Sequence, residues 1–277
     1  MYKGRSENIL GDEDNLQLEV IKKGLGSSFF AKNVIFHESL KSTNTLAKDL
    51  AKQGCPEGTV VLTEEQTQGR GRRGKTWLSP RRENLLFSVV LRPTMDPERV
   101  FVLTMILALA AVDGVNAVSG LTPGIKWPND LYLQEKKLAG ILTEFSTRDR
   151  WVEYVVLGLG LNVNWNPAEG DENANPATSL LAASGRPTDR NELLVHILGF
   201  LERHYRDAQS GKMDSYHKRW NELSMILGRE IAVEGEQEKI YGKAVRIDEL
   251  GALIMEDEKG RQQRIITGDV SVRLVAP

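Results

Sequence analysis

The stretch from Phe101 to Val112, FVLTMILALAAV, constrains this chain more than any other. It lies in a predicted helix from Glu98 to Val118 that is apolar nearly all round in its middle. A helix with no polar face is buried inside a core. The apolar run itself is too short for a bilayer, which takes about 20 residues. At 277 residues the chain makes one large domain or two smaller ones. Thirty-six basic residues against thirty-eight acidic ones give a net charge of -2, which excludes a polycationic nucleic-acid binder and makes any basic site local. The single cysteine, Cys55, rules out an internal disulfide and a cysteine metal cluster, and points to a reducing compartment. The polar, acidic start MYKGRSENILGDEDN carries no signal-peptide core. The expectation is a soluble cytoplasmic protein with no membrane partner.

Along the chain, residues 1–28 read as a polar tail and linker, 29–227 as the main domain and 228–277 as a small all-β module. Ser42-Thr43-Asn44 precedes Leu46, Ala47, Leu50 and Ala51, with Gly54 beyond, which predicts a helix with Ser42-Thr43 at its N-cap. Strands are predicted at Thr59–Thr63, Leu85–Leu91 and Trp151–Val163, and helices over 189–209 and 212–223. LYL and LAGILTEF around QEKK form a hairpin with a charged tip. Glycines inside the strand WVEYVVLGLGLNV suggest close approach by a ligand. The polar loop 165–177 is long enough to be functional.

Gly69-Arg70-Gly71-Arg72-Arg73-Gly74-Lys75-Thr76 is the chemically loudest segment. It satisfies both G-x-x-x-x-G-K-[ST] and G-x-G-x-x-G, and each of those motifs needs a helix opening out of the loop. Pro80 opposes such a helix, and a strand follows instead. What survives is glycine backbone that a ligand can approach, beside arginines suited to phosphate or carboxylate. The alternative is a solvated basic turn.

GRGRRGKTWLSP at 69–80, STN at 42–44, KWPNDLYLQEKKLAGIL at 126–142 and GLGLNVN at 158–164 together resemble the bacterial biotin protein ligases, over about residues 30–277. The resemblance implies an α+β fold: a mixed β-sheet flanked by helices, related to class II aminoacyl-tRNA synthetases and lipoate ligases, then a small SH3-like β-barrel. It implies an enzyme that makes biotinyl-5′-adenylate from biotin and MgATP and passes biotin to a lysine of a biotin carboxyl carrier protein, such as that of acetyl-CoA carboxylase. By resemblance, Ser42, Thr43, Asn44 and Gln66 meet the biotin head group, and Gly69, Arg70, Gly71 and Arg72 line the same pocket. Arg70, Arg72 and Lys137 are the candidate catalytic cations, with Gly140 beside Lys137. Arg73, Gly74, Lys75, Trp77, Lys126, Asn129 and Asn162 fall on the ATP side, and Asp130 near the metal. Many members carry an N-terminal DNA-binding domain, for which about thirty residues leave no room, so the monofunctional ligase type without specific nucleic-acid binding is expected. A homodimer stays open.

The chemistry explains the residue types. A carboxylate must attack the α-phosphate of ATP, and two like charges about 4 Å apart repel by roughly 4 kcal/mol at an effective dielectric near 20. Paired cations and Mg²⁺ oppose that repulsion and hold the groups in line. Ser42, Thr43 and Gln66 suit a neutral ureido ring, although Ser42-Thr43 also suits a plain helix cap. If LAGILTEF is a strand beginning near Lys136 and Lys137, their side chains point to opposite faces, and the resemblance aims Lys137 into the site. The 228–277 module is expected to finish the site or aid transfer rather than bind biotin. The rivals are a lipoate–protein ligase of the same chemistry and a nucleic-acid-binding regulator.

Overall fold

The computed structural model describes residues 15–166, 176–235, 239–266 and 271–274. In chain order the elements are α1 (Leu18–Leu25), β1 (Val34–His37), α2 (Thr43–Lys52), β2 (Val60–Thr63), β3 (Asn84–Leu91), α3 (Val100–Ser119), β4 (Gly124–Lys126), β5 (Asp130–Leu133), β6 (Lys136–Arg148), β7 (Trp151–Asn162), α4 (Leu180–Ser184), α5 (Arg190–Gln209), α6 (Asp214–Leu223), β8 (Glu230–Glu234), β9 (Lys239–Ile247), β10 (Leu253–Glu256), β11 (Gln262–Ile265) and β12 (Ser271–Leu274). The first seven strands form one sheet in the order β1-β2-β3-β7-β6-β5-β4. Only β1 and β2 run parallel in it, so the sheet is mixed, as expected.

Strand alternation gives this sheet two unlike faces. Leu85, Phe87 and Val89 of β3 and Val155, Leu157, Leu159 and Leu161 of β7 point to one side and share a core with α3 and α5. Val61, Val90, Tyr154 and Val156 point to the other and pack on Ala47 and Ala51 of α2. Ten-residue α2 covers only part of that second face. Gly158, Gly160 and Gly140 lie beyond its N-terminus, with Gly140 paired to Gly160 and Leu142 to Gly158.

The apolar helix is longer than its apolar run. With the 3₁₀ turn before it, the stretch Pro97–Ser119 is long and apolar enough to cross a bilayer, and 78% of its most apolar window is buried in the protein. Enclosure, rather than shortness, makes it a core helix. Gly120, at φ 72°, ends it in the left-handed conformation that glycine adopts at low cost.

Residues 16–28 differ from the linker expected there. α1 buries Ile21 and Leu25, and Leu16 before it is also buried. The Leu16 amide donates to Glu64 Oε1 (2.8 Å), and Glu64 Oε2 accepts from Arg190 Nη1 (2.5 Å), both side chains being enclosed. A buried ion pair needs every remaining site satisfied, and the Leu16 amide supplies one of them. The start of the described chain is thereby fixed to the end of β2 and the start of α5.

β8–β12 form a separate antiparallel sheet in the order β11-β10-β9-β8-β12, the small β module expected. Its Ile231, Val233, Ile247, Leu253 and Met255 belong to the same apolar cluster as the main core. The buried Trp127 indole donates from Nε1 to Gly251 O (3.0 Å), and the Ile247 amide donates to Asn221 Oδ1 (3.1 Å).

Candidate functional site

The site begins at the N-terminus of α2. Ser42 occupies the cap position with an extended backbone, but its side chain makes no capping bond. Gln66 replaces it from across the cleft: Oε1 accepts from the Thr43 amide (2.8 Å) and the Thr43 hydroxyl (3.2 Å). The expected cap is therefore correct in place and different in acceptor. Asn44 Nδ2 donates to Leu142 O and Glu144 Oε2 (both 3.1 Å), while its Oδ1 accepts from Ser88 Oγ (2.6 Å).

The glycines of β7 face these side chains. A Cβ on Gly158 would overlap Asn44 Oδ1, and one on Gly160 would lie 2.6 Å from Trp77 Cε2. The strand glycines do mark a close approach, but the approaching groups are the protein's own Asn44 and Trp77 rather than the ligand expected there. Gly140 completes the floor, with a Cβ there 3.1 Å from Trp77 and 3.4 Å from Lys137 Nζ.

The Gly–Arg segment is a closed loop, with no helix opening from it. Trp77 N bonds Gly69 O (2.9 Å), Gly71 N bonds Lys75 O (2.7 Å), and Arg73 and Gly74 turn the tip at φ 56° and 69°. Three side chains fasten it to the body. Arg70 Nη2 pairs with Glu144 Oε1 (3.1 Å), Arg72 Nη1 donates to Asn129 Oδ1 (3.1 Å), and the Trp77 indole rests on the glycine floor. Asn129 in turn donates from Nδ2 to Ile141 O (2.7 Å) and accepts from the Ile141 amide (2.9 Å), which extends the pairing with β6 one residue ahead of β5.

Lys137 reaches the site because of a β-bulge. β5 pairs Leu131 with Ala139 but Tyr132 with Lys137, so Leu138 is the extra residue. The bulge reverses the alternation and sets Lys137 on the same face as Gly140. Its Nζ lies 2.8 Å from Asp130 Oδ1 and 5.5 Å from the Trp77 ring centre. Lys136 is exposed and does not line the cleft. The segment 176–178 holds the Lys137 backbone: Lys137 N donates to Pro176 O (2.8 Å) and Thr178 N to Lys137 O (2.9 Å). The rest of the 165–177 loop lies largely outside the described residues.

These parts enclose a cleft of about 380 Å³. Of the residues expected at the site, Ser42, Thr43, Asn44, Gln66, Arg70, Gly71, Arg72, Arg73, Lys75, Trp77, Lys126, Asn129, Asp130, Lys137 and Gly140 line it. Gly69 and Gly74 instead border a second hollow against the Gly–Arg loop, with Thr67 and Gln68. Asn162 is buried below the cleft, where its Nδ2 donates to Thr178 O (2.9 Å). It supports the segment that holds Lys137 and does not line the cavity.

The sequence reading missed Tyr132, Leu142, Val272 and Arg273, which also line the cleft. Arg273 sits in an alternating strand and carries no signal separating it from a solvated arginine. With it, seven basic side chains line the cleft against one carboxylate, Asp130, in a chain of net charge -2. The electrostatics follow. Burial lowers the Lys126 pKa, with Lys137, Arg273 and Lys75 adding to the effect against Asp130. Burial, helped by Asp130, raises the Tyr132 hydroxyl to about 12, so it stays protonated. Burial alone would raise the Glu144 pKa, but Lys48, Asn44 and Arg70 together hold it below the usual carboxylate value.

Such a cleft attracts polyanions. It is poorly equipped as a resident metal site: among the described residues no three His, Cys, Asp or Glu side chains cluster, and Asp130 is already paired with Lys137. These residues fit Mg²⁺ arriving on ATP phosphates, an ion that usually keeps few protein ligands.

The comparisons with known proteins agree with this chemistry. Residues 36–162 match the biotin/lipoate A/B protein ligase family, and residues 226–273 match the biotin protein ligase C terminal domain. The chain is 34% identical to the biotin–[acetyl-CoA-carboxylase] ligase of Mycobacterium tuberculosis, over 94% of each chain. It is 34% identical to the bifunctional ligase/repressor BirA of Bacillus subtilis, over 91% of this chain and 78% of that one. Among solved structures, biotin protein ligase from Aquifex aeolicus in complex with biotin and ATP superposes with a TM-score of 0.75 at 29% identity, over 88% of this chain and 100% of that one.

Proposed function

The chain belongs to the biotin protein ligase family, and from that premise we propose how its cleft divides the work. The protein is an ATP-dependent ligase: it forms biotinyl-5′-adenylate from biotin and ATP and transfers biotin to a protein lysine. The acceptor is a biotin carboxyl carrier domain, that of acetyl-CoA carboxylase being the first candidate.

The observation that carries the assignment of roles is the meeting of Arg70 and Lys137 over the Gly140–Gly158–Gly160 floor. Ser42, Thr43 and Gln66 at the α2 end offer short hydrogen-bonding groups for the ureido ring. The glycine floor and Leu142 give the acyl chain an uncharged path along β6 and β7. Arg70 meets the carboxylate at the end of that path, and Lys137 draws the α-phosphate toward it. Holding both anions in line removes most of their repulsion before reaction. Trp77 offers its indole to the adenine, with Arg72 and Asn129 beside it. Lys126, Lys75 and Arg273 neutralise the departing pyrophosphate, which Mg²⁺ also binds when it enters with ATP. In the second step the acceptor amine attacks the mixed anhydride and AMP leaves, with no protein nucleophile required. Val272 and Arg273 in the cleft wall support a role for the C-terminal module in completing the site.

The test is exchange of labelled pyrophosphate into ATP. Exchange should depend on biotin and be absent with lipoate or with no acid. Equal exchange under all three conditions would remove the biotin assignment.

A further inference from the structure

Glu144 belongs to none of the motifs that mark the site and does not line the cleft, yet three donors converge on it. Lys48 Nζ lies 2.8 Å and Arg70 Nη2 3.1 Å from Oε1, and Asn44 Nδ2 lies 3.1 Å from Oε2. Its side chain is 17% exposed, against 46% for Arg70. Strand pairing fixes its place: Glu144 faces Val156 of β7 and follows Leu142 along the site face of β6. The carboxylate thus comes from the rigid sheet, whereas Arg70 comes from a loop. Among the described residues, Arg70 is otherwise oriented only by a 3.4 Å contact to Thr45 Oγ1. Exposed ion pairs contribute little because two mobile chains must be ordered, but here one partner is already held by Lys48 and Asn44.

We propose that Glu144 is a positioning residue for adenylate formation. It anchors Arg70 from below so that the remaining guanidinium N–H groups point at the biotin carboxylate. The same carboxylate fixes the Asn44 amide, so one side chain ties the loop to the biotin end of α2. Lys48, outside the cleft, is its counter-ion: with Arg70 it keeps Glu144 ionised and shares Oε1.

This inference rests on the ligase reading, which biotin-dependent exchange in the wild-type protein tests separately. Given that exchange, the experiment is a double-mutant cycle on the full chain with Glu144→Gln, Arg70→Met and the pair, reading KM for biotin and kcat, with folding checked by thermal midpoint. A glutamine has one acceptor oxygen, which Asn44 can keep, and it turns an amide donor toward the cations. Glu144→Gln should raise KM for biotin about tenfold, the size of one hydrogen bond to a charged group, with a smaller change in kcat. In the Arg70→Met background the same substitution should change KM by less than about twofold, because the group it positions is gone. Lys48→Met should raise KM for biotin by less than Glu144→Gln does, because Asn44 still holds the carboxylate and Arg70 still pairs with it. An unchanged KM in Glu144→Gln would overturn the proposal, and so would an equal loss with and without Arg70, since a merely structural role predicts additivity.

Discussion

The two faces of the seven-stranded sheet are made by alternate residues of the same strands, and they obey different rules. In β7, Leu157, Leu159 and Leu161 point toward α3 and α5 into a core filled mostly by apolar side chains, with one hydroxyl pair, Thr104–Thr143 (2.7 Å), between α3 and β6. Gly158 and Gly160, between them, point the other way and leave room for Asn44 and Trp77. One face gains stability by filling space. The other creates a binding floor by leaving space and lets polar groups of α2, β6 and the Gly–Arg loop meet over it. Changes on the first face should register in folding, and changes on the second in ligand binding and rate.

The largest effect expected on the second face is at Lys137. With Lys137→Met, single-turnover adenylate formation should fall by roughly 10²–10³, about 3–4 kcal/mol, the loss seen when one preorganised donor is removed. The thermal midpoint should hardly move. A wild-type rate in a folded Lys137→Met protein would refute the assignment.

Within β7 the comparison narrows to adjacent residues. Leu157→Ala should cost about 3 kcal/mol of stability through the cavity it leaves, with biotin affinity retained in the folded fraction. Gly158→Ala places a methyl against Asn44 Oδ1 and should weaken biotin binding more than it lowers the denaturation midpoint. Denaturant titration and equilibrium biotin binding on both variants decide it, and loss of binding in Leu157→Ala alone would reverse the division between the faces.

The smallest effect should come from Lys136, which the bulge leaves pointing away. Lys136→Met should change stability by less than about 0.5 kcal/mol and leave adenylate formation at the wild-type rate. Impairment of Lys136→Met with a normal Lys137→Met would mean that the register of β6 is read wrongly.

Much of this was legible in the residues. Composition announced the buried helix, and short apolar runs placed β3, β7 and the β5–β6 hairpin. The Gly–Arg loop and KWPND announced five of the seven cations that line the cleft, and the resemblance added Lys137. What escaped depends on partners far along the chain. α1 sits in a polar, acidic neighbourhood, and its burial depends on Glu64, α5 and the Arg190 ion pair, which local pattern does not reveal. Glu144 has no motif, because its meaning comes from Arg70, Lys48 and Asn44 converging on it. Arg273 comes from a strand of a second sheet that packs beside the cleft. The expected opposition of Lys136 and Lys137 was right, but plain alternation would have put Lys136 on the Gly140 face. The bulge that corrects this shows only in the pairing.

That bulge makes the site sensitive to chain length as well as to composition. Leu138 and Ala139 are both fully buried, so the residues between Lys137 and Gly140 cannot slide to absorb a change in count. Gaining one residue there, with the single bulge kept, would move Lys137 from opposite Tyr132 to opposite Leu133, turning its ammonium out of the cleft and away from Asp130. Through ordinary drift, this hairpin can therefore tolerate many replacements of side chains at its tip while tolerating almost no insertion between Lys137 and Gly140.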